Sequence, residues 1–287
     1  MKASLITRES AGGEIMEKLQ RNERIALLLK ILSDHPNQLF TFNFFSSSFN
    51  CAKSTLSEDV DILKGIVARF KMGMIETVAG AAGGVKYIPL PYKDEIKKIV
   101  EDLCNTLSDS SRVLSGGFLY MTDIIYRPDV VDSIGKIFAG QFIDREIDYV
   151  ITVETKGIPI ATMTAKYLNK PLVIARRDSK VTEGSSVNIN YVSASSRRIQ
   201  TMSLSRRAIS KNSKVLFVDD FMKGGGTAQG IIELMNEFDS TVEGIAVFIS
   251  TSEPQEKNVN EYFSLIILNE VNDIDKFVNL KPGIILD

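Results

Sequence analysis

Val215-Leu216-Phe217-Val218-Asp219-Asp220-Phe221-Met222-Lys223-Gly224-Gly225-Gly226-Thr227 is the most informative run of the 287-residue chain. Four apolar residues suit a buried strand, two carboxylates close it, and a glycine-rich turn leads into a helical pattern from Ala228 to Phe238. Glycine lets a backbone curl until several N–H groups face inward, and a helix N-terminus adds its dipole; together these receive a phosphate. Asp219 and Asp220 would repel that phosphate, so they suit sugar hydroxyls or a divalent cation instead. No Gly-Lys-Ser/Thr follows the glycines, which excludes a Walker A loop. The glycines alone read as a tight turn with no ligand; the strand and acidic pair before them favour a binding site.

The flanking sequence alternates in the same way. Tyr149–Val153, Pro171–Ala175, Ile245–Ile249 and Leu265–Leu268 are further short apolar runs. Helical stretches run from Asp94 to Leu107, Asp129 to Phe142 and Ile158 to Leu168. Such alternation predicts a parallel α/β sheet with helices on both faces. Thr155-Lys156-Gly157 follows one strand directly, so its N–H groups and the Lys156 charge are placed for a second anion. From Arg176 to Lys214 there are nine Lys or Arg against two acids, a local +7 within a chain of net charge −2. This stretch suits an anion site, a nucleic-acid backbone or a solvated basic face.

The N-terminal part has a different pattern. A strongly apolar helix is expected from Arg24 to Leu32, a short one from Asn43 to Phe49, and a third behind Thr55 and Glu58, which have capping-box spacing. Leu56, Val60, Leu63 and Val67 give the third helix one buried face. Met74–Val78 and Val85–Ile88 are β-prone and joined by a bare Ala-Gly-Ala-Ala-Gly-Gly tip. Three helices and a β-hairpin are the layout of a winged helix. Pro89 and Pro91 then mark a boundary, giving a winged helix over 16–90, an α/β domain over 91–287 and a leader at Met1–Ile15.

Composition removes several chemistries. His35 is the one histidine and stands before Pro36 at an expected helix end, so histidine triads, dyads and zinc sites are set aside; no catalytic and no metal residues are assigned. Two cysteines, Cys51 and Cys104, make no disulfide framework. No apolar run approaches the ~20 residues of a membrane span, and Met1–Ile15 lacks a signal-peptide core. A cytoplasmic protein without membrane partners is expected.

The Val215–Thr227 run resembles the phosphoribosyl-pyrophosphate (PRPP) motif of type I phosphoribosyltransferases. That resemblance assigns Asp219 and Asp220 to the ribose hydroxyls, and Phe221, Met222, Lys223, Gly224, Gly225, Gly226 and Thr227 to the 5'-phosphate loop. Gly224 stands where the enzymes usually have Thr, and Phe221-Met222-Lys223 is unusual for them. Thr155, Lys156 and Gly157 resemble the family's pyrophosphate loop. Lys180 and Tyr191 fall in its hood segment, as candidates for diphosphate contacts.

The combination is similar to the purine operon repressors of Gram-positive bacteria. Ser54-Thr55-Leu56-Ser57-Glu58-Asp59, Ala81-Ala82-Gly83-Gly84-Val85-Lys86-Tyr87-Ile88-Pro89, Lys156-Gly157-Ile158-Pro159, Lys180-Val181-Thr182-Glu183-Gly184-Ser185 and Arg198-Ile199-Gln200-Thr201-Met202-Ser203-Leu204 carry this likeness. It implies a homodimeric regulator of purine-synthesis genes, with no transferase role, that binds double-stranded operator DNA. PRPP acts as effector, with no obligatory cofactor and with Mg²⁺ as an optional companion. A guanosine alarmone is the competing anion the resemblance suggests. Lys53, Ser54, Thr55, Ser57 and Lys64 are then the recognition-helix candidates, and Gly83, Gly84 and Lys86 the wing candidates. The same serine, threonine and glycines also suit plain capping and turning. The rivals are an active purine phosphoribosyltransferase and a PRPP-binding protein with an N-terminal interaction module.

Overall fold

The computed structural model describes residues 19–80, 83–177, 184–193 and 198–283; the expected leader Met1–Ile15 and Lys180 lie outside them. Two compact units divide between Leu90 and Pro91.

The first unit runs α1 (Arg21–Asp34), β1 (Phe40–Thr41), α2 (Phe42–Phe49), α3 (Lys53–Arg69), β2 (Met74–Val78) and β3 (Gly84–Ile88). Its sheet has the order β1-β3-β2 and is antiparallel throughout. Leu28 and Leu32, Phe45 and Phe49, Leu56, Val60, Leu63 and Val67, and Ile75 and Val85 close one core from every element except the outermost turns. Each fully buried Leu or Phe contributes about 1.5–3 kcal/mol.

The start of α3 departs from expectation. Asn50, in the left-handed region, ends α2, and the chain has turned by Ala52, so the helix opens at Lys53. Thr55 therefore lies inside the first turn and does not cap it. The Glu arm of a capping box is instead found in α1, where the Gln20 N–H donates to Glu23 Oε2 at 2.7 Å. A buried ion pair between α1 and α3, Arg24 Nε to Asp59 Oδ2 at 2.6 Å, was not anticipated.

The second unit contains α4 (Lys93–Leu107), a 3-10 turn (Ser110–Arg112), β4 (Val113–Leu114), β5 (Phe118–Leu119), α5 (Thr122–Ile125), α6 (Pro128–Gln141), β6 (Tyr149–Val153) and α7 (Ile158–Leu168). It continues through β7 (Leu172–Ala175), β8 (Ser186–Ser193), β9 (Arg198–Ser205), β10 (Lys214–Met222), α8 (Gly226–Asn236), β11 (Thr241–Thr251), β12 (Phe263–Asn272) and β13 (Phe277–Pro282). The main sheet has the order β13-β12-β11-β10-β6-β7. All its pairings are parallel except that of the edge strand β13, which the sequence reading missed.

Alternation along β10 supplies both cores: Leu216 and Val218 pack on one face, Val215 and Phe217 on the other. The first face is covered by α4, α6 and α7, through residues such as Val100, Ile134 and Ile160. The second is covered by α8 and by the antiparallel ribbon β8–β9, through Ile231, Leu234, Val187, Met202 and Leu204. Helices on both faces were expected; a ribbon takes half of one face because its alternate residues are apolar.

Counted in chain order, the five parallel strands lie 2-1-3-4-5, so the order reverses between β6 and β10. Connections leave that point in opposite directions and open a crevice at the carboxyl ends of the two strands. Ligands of open α/β sheets bind there.

Candidate functional site

Both loops singled out in the sequence hang over this crevice. β10 does not stop at Val218: pairing with β11 continues from Asp219↔Val247 to Met222↔Ser250 and carries the acidic pair within the strand. Burial raises the Asp219 pKa well above the ordinary carboxylate value, and the neighbouring Asp220 adds to the rise. Burial also raises Asp220, while the Lys156 ammonium acts against that rise. The Asp220 N–H donates to Asp219 Oδ1 at 3.0 Å. Two desolvated carboxylates side by side call for hydroxyl donors or a cation. Among the described residues no three His, Cys, Asp or Glu side chains gather to hold a metal.

After Met222 the backbone passes through the glycines. Gly225 takes φ +77°, a left-handed conformation that an L side chain rarely adopts, and precedes α8. Phe217, Asp219 and residues Phe221 to Ala228 line a recess of about 70 Å³. Pockets that enclose whole small molecules have roughly 300–1,000 Å³, so this corner takes one group of a ligand. Free first-turn N–H groups and the helix dipole suit an anionic group.

Gly157 joins the second loop to the first. A Cβ there would stand 2.6 Å from Thr152 Oγ1 and 2.8 Å from Asp219 Oδ1, so only glycine permits this approach. The Thr152 hydroxyl is buried with no hydrogen-bond partner. Thr155 and Lys156 are exposed at the crevice mouth. Glu154 anchors the loop, its Oε1 accepting from the Arg177 N–H at 2.9 Å and its Oε2 lying 3.7 Å from Arg176.

Of the two hood candidates, Tyr191 lies among the described residues and Lys180 outside them. Tyr191 is buried, packs over Gly230 of α8 and donates its hydroxyl to Gln200 Oε1 at 2.8 Å. Its alternation on β8 turns the ring into the core, and there it also borders a cleft with Gly226 and Asn258 beside the glycine loop. Lys257 and Asn258 were missed, having no motif around them. The Asn258 N–H donates to the Gly224 carbonyl at 2.9 Å, and Lys257 Nζ lies 2.6 Å from the Lys223 carbonyl.

In the first unit, Lys53, Ser54 and Ser57 meet Gly80 and Gly83 of the hairpin around a cleft of about 390 Å³. Ala52 supplies no side-chain cap, leaving the first N–H groups of α3 for an outside acceptor. Three wing and helix candidates have close neighbours within the unit itself. Gly84 is buried, its Cα so close to the Phe40 carbonyl that a Cβ would stand 2.1 Å from it, which makes it a packing residue and not a tip residue. Lys86 pairs with Glu76 across the hairpin at 3.2 Å, and Lys64 lies 3.5 Å from Asp61.

Residues 20–89 match the family described as "Bacterial purine repressor, N-terminal", and residues 121–280 match "Phosphoribosyl transferase domain". The purine biosynthesis transcriptional repressor of Bacillus subtilis is 47% identical over 266 residues, which cover 93% of each chain. The chain belongs to the bacterial purine repressor family. Members of the family differ in the sign of their action by name: the Lactococcus lactis relative, 37% identical over 92% of this chain and 98% of its own, is a transcriptional activator of purine biosynthesis. Adenine phosphoribosyltransferase from Thermoanaerobacter pseudethanolicus superposes on 58% of this chain and 98% of its own, with a TM-score of 0.50 and 17% identity. That likeness concerns the α/β fold alone.

Proposed function

We propose that this chain regulates transcription of purine-biosynthesis genes, as a cytoplasmic homodimeric repressor, and that PRPP is its effector. The first unit takes operator DNA, with Lys53, Ser54 and Ser57 of α3 and the hairpin end nearest to it. The second takes PRPP. Its 5'-phosphate sits on the Gly224–Thr227 backbone, its ribose hydroxyls on Asp219 and Asp220, and its diphosphate beside Thr155–Gly157. A Mg²⁺ ion would arrive with the diphosphate oxygens, since such ions bind through one or two carboxylates plus ligand phosphates. The observation that carries this reading is the close packing of Gly157 against Asp219, the first of the acidic pair that leads into the glycine loop, at the strand-order reversal. Family membership, and the repressor name of the Bacillus subtilis relative, support the regulatory half.

PRPP shifts the DNA equilibrium only by its differential affinity for the DNA-free form, and a tenfold change needs about 1.4 kcal/mol. Fluorescence anisotropy with a labelled purine-gene promoter fragment at fixed salt measures this directly. PRPP is expected to weaken specific binding by about tenfold or more in the wild type. The Asp219→Ala, Asp220→Ala double variant should bind the fragment and ignore PRPP. Equal affinity for the promoter and an unrelated fragment would overturn the regulatory reading. Nucleotide formation from PRPP and a purine base would overturn the assignment of the site to effector binding alone.

A further inference from the structure

We propose that Lys257 is a positioning residue for phosphate binding, holding the Lys223–Gly225 backbone so that its amides face the ligand. The inference rests on the reading of that loop as the 5'-phosphate site. Lys257 Nζ lies 2.6 Å from the Lys223 carbonyl, 2.8 Å from the Thr251 carbonyl and 3.3 Å from Thr251 Oγ1. All three ammonium donors are thereby spent behind the loop. One residue on, the Asn258 N–H donates to the Gly224 carbonyl at 2.9 Å, and Gly225 packs on Asn258 and Val259.

In a trans peptide the C=O and N–H point to opposite edges of one plane. Drawing the Lys223 carbonyl back to Lys257 therefore turns the Gly224 N–H forward. Drawing the Gly224 carbonyl back to Asn258 does the same for the Gly225 N–H. Two successive forward N–H groups, with Gly225 at φ +77°, make an anion-binding nest. Glycine planes rotate easily, so the loop keeps this shape only while its carbonyls are held. Burial lowers the Lys257 pKa, in keeping with an ammonium that has exchanged water for these three acceptors.

The test uses the full chain in three forms: wild type, Lys257→Met and Lys257→Arg. Calorimetric titrations with inorganic phosphate, PRPP and pyrophosphate are combined with amide hydrogen exchange over residues 222–227. Lys257→Met is expected to weaken phosphate and PRPP by about tenfold or more and to speed exchange in the loop, with pyrophosphate changed by less than about twofold. Lys257→Arg, which keeps a charged donor, should recover most of the loss. Should Lys257→Met fail to fold, Lys257→Gln carries the same comparison. Wild-type affinity for phosphate and PRPP in the neutral variant overturns the proposal, as does an equal loss for pyrophosphate, which would mark a purely structural residue. A wild-type chain that binds neither phosphate nor PRPP overturns the phosphate-site reading itself, and the role of Lys257 with it.

Discussion

At Asp219 the needs of folding and of binding oppose each other. Its folded-state pKa lies above its unfolded value, so between the two the folded chain holds more protons and stability falls as pH rises. Asp219→Asn removes that cost. The variant is expected to melt higher than wild type at pH 7, by roughly 2–4 °C per kcal/mol released, while PRPP binding is lost. The difference should close as pH falls towards about 3.9, the ordinary Asp value, and circular-dichroism melts across this range check it. The acidic pair was legible in the sequence because two carboxylates ending an apolar run have few uses. Gly157 was legible only as part of a loop; its fit against Asp219 depends on the packing of two strands.

Among the elements, α1 and α3 are pinned by Arg24 and Asp59, both buried, the second fully. Breaking a buried pair leaves one uncompensated charge, at about 3–5 kcal/mol. Whole-domain stabilities are about 5–15 kcal/mol, so Asp59→Ala should remove a large part of the first unit's stability and lower its melting temperature well below that of wild type. The first unit's transition should move down while that of the second unit stays in place, as melting curves would show. The Arg24→Met, Asp59→Met double variant should recover most of the stability, because apolar groups carry no such charge. Periodicity located the extents of β6 and α7 to the residue. It misplaced the start of α3, where a backbone turn rather than a side-chain cap sets the boundary. It shortened β10, whose last residues are held by pairing with β11, a partner no local pattern reveals. Part of the basic stretch, Ser186–Ser193 and Arg198–Ser205, forms the β8–β9 ribbon, whose apolar residues Val187, Ile189, Tyr191, Met202 and Leu204 alternate with uncharged polar ones.

In the whole molecule, two sites linked through one chain must influence each other equally. If PRPP lowers operator affinity by a given factor, operator DNA lowers PRPP affinity by the same factor. Calorimetric titration of PRPP with and without saturating operator should return that factor, and the Asp219→Ala, Asp220→Ala variant should show none. Among the described residues no helix is long and apolar enough to cross a membrane. The sequence by itself determined the two kinds of unit, the parallel α/β alternation and the chemistry of the acidic pair and glycines, because periodicity and residue type are local properties. Tertiary structure decided that β6 and β10 are neighbours and that Gly157 meets Asp219. It also decided that Lys257 bonds to the Lys223 carbonyl at the start of the glycine loop and that Gly84 and Tyr191 pack inward. These outcomes depend on which distant apolar faces bury each other, and that choice is made only when the sheet assembles.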